Sequence, residues 1–246
     1  MALSKIQQPF QSLFPNFPEQ PDAGFHNSVY RGKNLGGSLT AAQSAAIRAG
    51  TFDDLFIGDY WQINTRKYRI AGFDVYLGSN DFVDFHHAVV VADENMYTSV
   101  YGSANPLYIN STARASIKQE TYGAESIIVS AFGDSHVKAY KQFYPSSADA
   151  NGVATACGWV DARVELMNEN MVYGCQVFGN GGFEVGADKT QLPLFRLNPA
   201  MIRASTTYWL RNALGNGNVC AVSLLGSANY DSPNSAKSLR PFFLLN

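Results

Sequence analysis

The sequence predicts an α+β domain, and three observations carry that prediction. Two segments have helical patterning with their own start and stop signals, several short runs have strand patterning, and long Gly-, Asn- and Ser-rich stretches separate them. The 246 residues suffice for one large or two small domains, and 46% hydrophobic with 13% aromatic residues is the composition of a packed chain. Charged residues supply only 15%, against about a quarter in ordinary domains. A surface poor in charge and rich in Asn, Ser and Tyr suits neutral hydrogen bonding better than electrostatic steering. A net charge of −2 without any Lys/Arg cluster argues against a nucleic-acid binder.

Residues 1–28 interleave Pro9, Pro15, Pro18 and Pro21 with Phe10, Phe14, Phe17 and Phe25. Proline at that density prevents a helix, and four Phe are too apolar for an inert linker. The segment reads as an extended arm that docks its rings on the chain's own body or on a neighbouring subunit. The first 20 residues lack the apolar core of a signal peptide, and no apolar run reaches membrane-spanning length. A soluble chain made in a cytoplasm is therefore expected.

Thr40 followed by Gln43 forms a capping-box signature, residues 41–49 are strong helix formers, and Gly50 supplies a stop. Residues 60–63 and 67–73 read as two strands around the short turn Asn64-Thr65-Arg66. The continuous apolar run 88–92 predicts a central, buried strand. Residues 112–132 suit one helix or two, interrupted near Gly123. The spacing of Val164, Met167, Met171 and Val172 predicts a second firm helix over 159–173, capped by Asp161 and ended by Gly174. Asn198-Pro199 starts another short helix. In the tail, strands are expected at 208–211, 220–225 and 239–245, with polar loops between them. Loops of that length in a compact domain are usually functional.

The tail also carries a resemblance. Tyr208-Trp209-Leu210-Arg211, a short strand near Val222, and Leu239-Arg240-Pro241-Phe242-Phe243 resemble the closing segment of C-type-lectin-like domains of the formylglycine-generating-enzyme superfamily. Upstream, residues 30–36, 51–61, 85–91 and 191–195 resemble one group of tailed-phage structural proteins, so the similarity spans roughly residues 29–245. The resemblance implies a 29–246 C-type-lectin-like domain, with short helices packed on small antiparallel sheets, behind a 1–28 anchoring arm. It further implies a virion structural protein, a head decoration or head fibre, partnered by capsid or tail proteins and assembled as a homo-oligomer, with a trimer as the analogy suggests. A tail-tip protein that recognises a host glycan or surface protein is the alternative. The pattern departs from the superfamily where its chemistry lies. Pro241, Phe242 and Phe243 stand where the oxidases place a reactive Cys after Arg240, and the calcium-lectin Glu-Pro-Asn and Gln-Pro-Asp triplets are absent. No catalysis, cofactor or metal is expected, since function sits in sites rather than in folds.

The remaining chemistry reads as follows. His86 and His87 are adjacent, so on a strand they point to opposite faces and cannot readily share a metal ion. One is expected inward on a backbone group and the other outward. Glu165 and Glu169, one helical turn apart near Asp161, read as a solvated acidic face. Cys157, Cys175 and Cys220 have neither disulfide nor zinc spacing and read as buried free thiols. Trp209, Arg211 and Arg240 belong to the scaffold by resemblance, the Arg side chains binding loop carbonyls. The candidate ligand-binding residues are Asn212, Asn216, Asn218, Asn229, Tyr230, Asp231 and Asn234, on loops expected to lie side by side. Phe10, Phe14, Phe17 and Phe25 are the candidate virion-anchoring residues.

Overall fold

The computed structural model describes residues 22–78, 83–102, 107–149, 154–179, 184–214 and 217–246. Phe10, Phe14, Phe17 and Asn216 lie outside them. The described chain is a mixed α/β structure of mostly sheet with few short helices.

The first described element, α1 (Ala23–His26), is capped by Asp22, whose Oδ1 accepts from Phe25 N at 3.1 Å. Phe25 is buried against Phe56, so the chain joins the body ahead of residue 28. After β1 (Asn34–Gly36), α2 (Ala41–Arg48) shows the expected capping box. Gln43 N donates to Thr40 Oγ1 at 3.2 Å, and Thr40 N donates to Gln43 Oε1 at 3.0 Å. Next, β2 (Tyr60–Ile63) and β3 (Arg66–Phe73) form a hairpin whose turn puts Asn64 at φ 56°, a conformation Asn tolerates.

The central sheet runs β1-β2-β3 and on through Ala88–Ala92 (β4) and Pro241–Leu245 (β14) to Val137–Lys138 (β6), with Val164–Leu166 (β9) also pairing β14. Its middle strands, β4 (Ala88–Ala92) and β14 (Pro241–Leu245), are buried throughout, as a run apolar on both faces requires. Two helices, α3 (Thr112–Lys118) and α4 (Ala124–Phe132), replace the single alternative over 112–132. Gly123 separates them because a Cβ there would lie 2.4 Å from Gln119 O and 2.5 Å from Ile117 O. Phe132 then packs edge-on to Trp61 and Tyr68, tying α4 to the sheet.

The helix expected over 159–173 is not formed. Residues 154–162 are strand β8 (Ala154–Ala162), paired with β7 (Tyr140–Ala148), and β9 (Val164–Leu166) joins β14; β6 is Val137–Lys138. Only α5 (Glu169–Tyr173) is helical, capped by Asn168 Oδ1 on Met171 N at 2.7 Å, and Gly174 ends it at φ 80° as expected. The apolar spacing suited a helix, but Trp159 pairs with Phe143 and Glu165 with Phe242, and these distant pairings override local periodicity. Asp161, the supposed cap, is exposed and pairs with Lys141 at 2.6 Å.

A second sheet runs β12-β11-β10-β13-β5, from β5 (Tyr97–Val100), β10 (Tyr208–Ala213), β11 (Val219–Val222), β12 (Ala228–Asp231) and β13 (Ala236–Leu239). The stretch expected as one strand over 239–245 is split at Arg240, where the chain passes from the second sheet to the central one. Arg240 is buried, and its guanidinium donates to Ala92 O at 2.8 Å, Met201 O at 3.0 Å and Ile202 O at 3.2 Å. It also lies over the Tyr208 ring. A short helix α6 (Pro193–Leu197) leads into a 3-10 turn, Pro199–Ile202, where a helix after Asn198 was expected. No helix among the described residues is long and apolar enough to cross a membrane.

Candidate functional site

Of the candidate residues expected on loops, Asn212 lies on β10 and Asn229, Tyr230 and Asp231 on β12, so strand register sets what they can do together. Val219 pairs with Asp231, which brings Asn218 and the 231–232 corner to one end of the second sheet. Asn229 and Asn234 are exposed there, and Asn218 is half-buried. Two of the seven residues have structural duties instead. Asn212 is buried: its Oδ1 accepts from Glu169 N at 2.8 Å and its Nδ2 donates to Glu184 Oε1 at 2.5 Å. Asp231 is held by Lys237 Nζ at 2.6 Å, which keeps its carboxyl below the usual range.

Cross-strand partners share a face, and neighbours along a strand do not. Tyr230 pairs with Cys220, whereas Asn229 pairs with Ala221 and Asp231 with Val219. Tyr230 therefore projects from one side of edge strand β12, and Asn229 and Asp231 from the other. On its own side Tyr230 meets Phe178, edge-on at 5.0 Å between ring centroids. Both rings are about two-fifths exposed, Phe178 at 39% and Tyr230 at 44%. The loop that carries Phe178 is pinned from beneath by the buried Glu169 carboxylate. It accepts Val177 N at 3.0 Å, Phe178 N at 3.1 Å and Gly179 N at 2.8 Å. Phe178 escaped the sequence reading because nothing local links it to Tyr230. Nor does Glu169 mark it, since it stands between Asn168 and Asn170 as a surface residue would.

Glu165 and Glu169 are thus fully buried, not a solvated acidic face. The error follows from the missing helix: Glu165 points from β9 into the interior, and burial of a carboxylate demands partners. Arg114 Nη2 lies 2.9 Å away, Lys118 Nζ 3.2 Å, and Tyr108 OH donates at 2.8 Å. A third buried carboxylate, Asp188, accepts from Tyr76 OH at 2.8 Å and Gln142 Nε2 at 3.0 Å, and it forms an ion pair with Arg211, whose Nη2 lies 2.9 Å away. Arg211 therefore binds a carboxylate rather than loop carbonyls, and despite burial its guanidinium is held in the charged form by Asp188. Trp209 is buried as expected, with Nε1 donating to Ser99 O at 3.1 Å.

His86 and His87 precede β4, and one faces in while the other faces out. The buried His87 bonds Phe85 O through Nδ1 at 3.1 Å and accepts Tyr76 N on Nε2 at 3.2 Å. Burial holds its pKa below the ordinary value. His86 is half-exposed, with Nδ1 at 2.7 Å from Asp74 Oδ2. No three His, Cys, Asp or Glu side chains among the described residues form a metal-binding group. Of the cysteines only Cys220 is buried; Cys157 is half-buried on β8, and Cys175 is exposed just beyond the Gly174 helix end. Burial, with Glu169 beside it, pushes the Cys220 thiol far up. Thiolate-directed disulfide reagents should therefore modify Cys175 first and Cys220 only with global unfolding. Rapid labelling of Cys220 in the folded protein would contradict this environment.

No protein-family profile, curated protein or solved structure matches the chain.

Proposed function

We propose that the chain is a tailed-phage virion structural protein, displayed on the particle as a head decoration or head fibre, and that it works by binding rather than by catalysis. Its body takes a C-type-lectin-like arrangement, with the β10–β14 segment as the closing element and Arg240 as the wedge between sheets. The observation that carries the reading is the Phe178–Tyr230 pair, half-exposed and held by three backbone N–H groups on a buried carboxylate. A rigid aromatic pair loses little entropy on contact, which suits it to recognition. The unreactive environment of Cys220 and the burial of Pro241, Phe242 and Phe243 in β14 support a binding role over the oxidase chemistry. In the particle the body is expected as an oligomer, attached to capsid or tail proteins.

Mass spectrometry and labelled-antibody microscopy of purified particles test this reading, which requires the protein in stoichiometric amounts on the surface. Its absence from intact virions would sink it. The same aromatic pair favours a second reading, a tail-tip protein that stacks a host sugar ring. Excess wild-type protein should then slow adsorption, and the double variant Phe178→Ala/Tyr230→Ala should not.

A further inference from the structure

The β2–β3 hairpin and α4 enclose a recess of about 230 Å3. Pockets for drug-sized ligands hold roughly 300–1,000 Å3, so this one suits a single small ring. Residues two apart on a strand share a face, and so do cross-strand partners. Arg66 and Tyr68 on β3, with Ile63 paired to Arg66 across the hairpin, therefore form one wall, and Asn64 of the turn adjoins them. Phe132 of α4 packs edge-on to Tyr68 and fixes the helix against this face. Ser126 and Ser130, one turn apart on α4, supply the facing wall with Ile127 and Ala131. Thr121, just ahead of the helix, completes the lining.

The polar groups of the recess are uncommitted. Among the described residues, no hydrogen bond or ion pair engages the Arg66 guanidinium, the Tyr68 hydroxyl, or the side chains of Asn64, Thr121, Ser126 and Ser130. Tyr68 decides the matter, because it is only 1% exposed and a buried hydroxyl ordinarily has a partner. The hydroxyls of all six other buried tyrosines, at 76, 101, 108, 140, 144 and 208, do have one. Burial raises the Tyr68 phenol above its ordinary value, against the lowering pull of the Arg66 charge, so at neutral pH it is a donor. Arg66 lines the recess and no carboxylate does. Glu125, beside Ser126, is tied to Lys118 at 2.7 Å, and Lys67 lies over the Tyr60 ring on the opposite face of the hairpin. One guanidinium matches one carboxylate in charge and in planar geometry, whereas a phosphate dianion would keep an unmatched charge. Three hydroxyls and an amide, each both donor and acceptor, match the hydroxyls of a sugar. Ile63, Ile127 and Ala131 offer apolar surface to its C–H face.

We propose that this recess binds a single carboxylate-bearing sugar residue, with Arg66 and Tyr68 holding the carboxylate and Thr121, Ser126 and Ser130 the ring hydroxyls. The site stands on other elements than the Phe178–Tyr230 pair. The inference is independent of the virion reading, because its test uses the isolated chain.

The test is calorimetric titration of the full-length protein with methyl glucuronide and with the methyl glycoside of N-acetylneuraminic acid, against methyl glucoside and inorganic phosphate. At least one acidic sugar should bind, at least about tenfold more tightly than methyl glucoside, as the loss of a charged hydrogen-bond partner implies. Neither Arg66→Gln nor Tyr68→Phe removes a hydrogen bond from the unliganded fold, so the melting temperature should hold. Affinity should fall about tenfold in the first and about threefold in the second, and Phe178→Ala/Tyr230→Ala should leave it unchanged. No binding of either acidic sugar, equal binding of methyl glucoside, tighter binding of phosphate, or unchanged affinity in folded Arg66→Gln or Tyr68→Phe overturns the proposal. Loss of binding in the Phe178/Tyr230 variant would move the sugar to that pair and overturn it as well.

Discussion

Asp188→Ala is expected to destabilise the protein by about 3–5 kcal/mol, the loss typical when one partner of a buried ion pair is removed. Asp188 is fully buried and is the carboxylate on which Arg211, Tyr76 and Gln142 converge. Without it the Arg211 guanidinium stays charged in the interior and loses the carboxylate it pairs with, while Tyr76 OH and the Gln142 amide lose an acceptor. Against a typical total of about 5–15 kcal/mol this is a large fraction, and for a chain of this size it lowers the melting temperature by about 6–20 °C. The double variant Asp188→Leu/Arg211→Met should recover a substantial part, because it removes the stranded charge as well. Thermal and urea unfolding of the singles and the double measure the coupling. A single variant within about 0.5 kcal/mol of wild type, the range of ordinary surface substitutions, would refute the role assigned to Asp188.

Steep alkaline unfolding is the second large effect expected. Tyr76, Tyr101, Tyr108, Tyr140 and Tyr144 are fully buried, and burial is the leading cause that raises each well above the ordinary tyrosine value; for four of them nearby carboxylates add to it. The sign follows from proton linkage. Below about pH 10 both folded and unfolded chains keep these protons, and stability does not depend on them. Above that pH the unfolded chain releases them while the folded chain retains them, so stability falls as pH rises. Each tyrosine contributes a slope approaching about 1.4 kcal/mol per pH unit, and these five together about 7. The fold should collapse cooperatively within about one to two units above pH 10, with tyrosinate absorbance and loss of far-ultraviolet dichroism appearing together. Gradual ionisation of these tyrosines with the dichroism intact would contradict their burial.

These two effects arise in the parts of the molecule least legible in the sequence. The capping box at Thr40 and Gln43, the Asn64 turn, the buried strand at residues 88–92 and the Gly174 helix end were all readable, because each depends on residues within a turn or two. Residues 159–173 were misread for the opposite reason. Val164, Met167, Met171 and Val172 have helical spacing, but β8 and β9 are fixed by partners elsewhere in the chain. With Val164–Leu166 in the sheet Glu165 turns inward, Glu169 is buried on the short helix α5, and the acidic face expected at the surface becomes part of the interior.

The candidate site divides the same way. The sequence by itself gives its chemical character, neutral amides and a tyrosine between the scaffold residues Trp209 and Arg240, but the loops expected there are in part strand: Asn212 lies on β10, and Asn229, Tyr230 and Asp231 on β12. Which of those residues face the same way was decided by register. The pairing of Tyr230 with Cys220 puts it across the strand from Asn229, and the clamp on Glu169 brings Phe178 to its side instead. Local propensity acts over a few residues, whereas the burial of Glu169, Asn212 and Asp188 is a property of surfaces that meet only when the whole chain is folded.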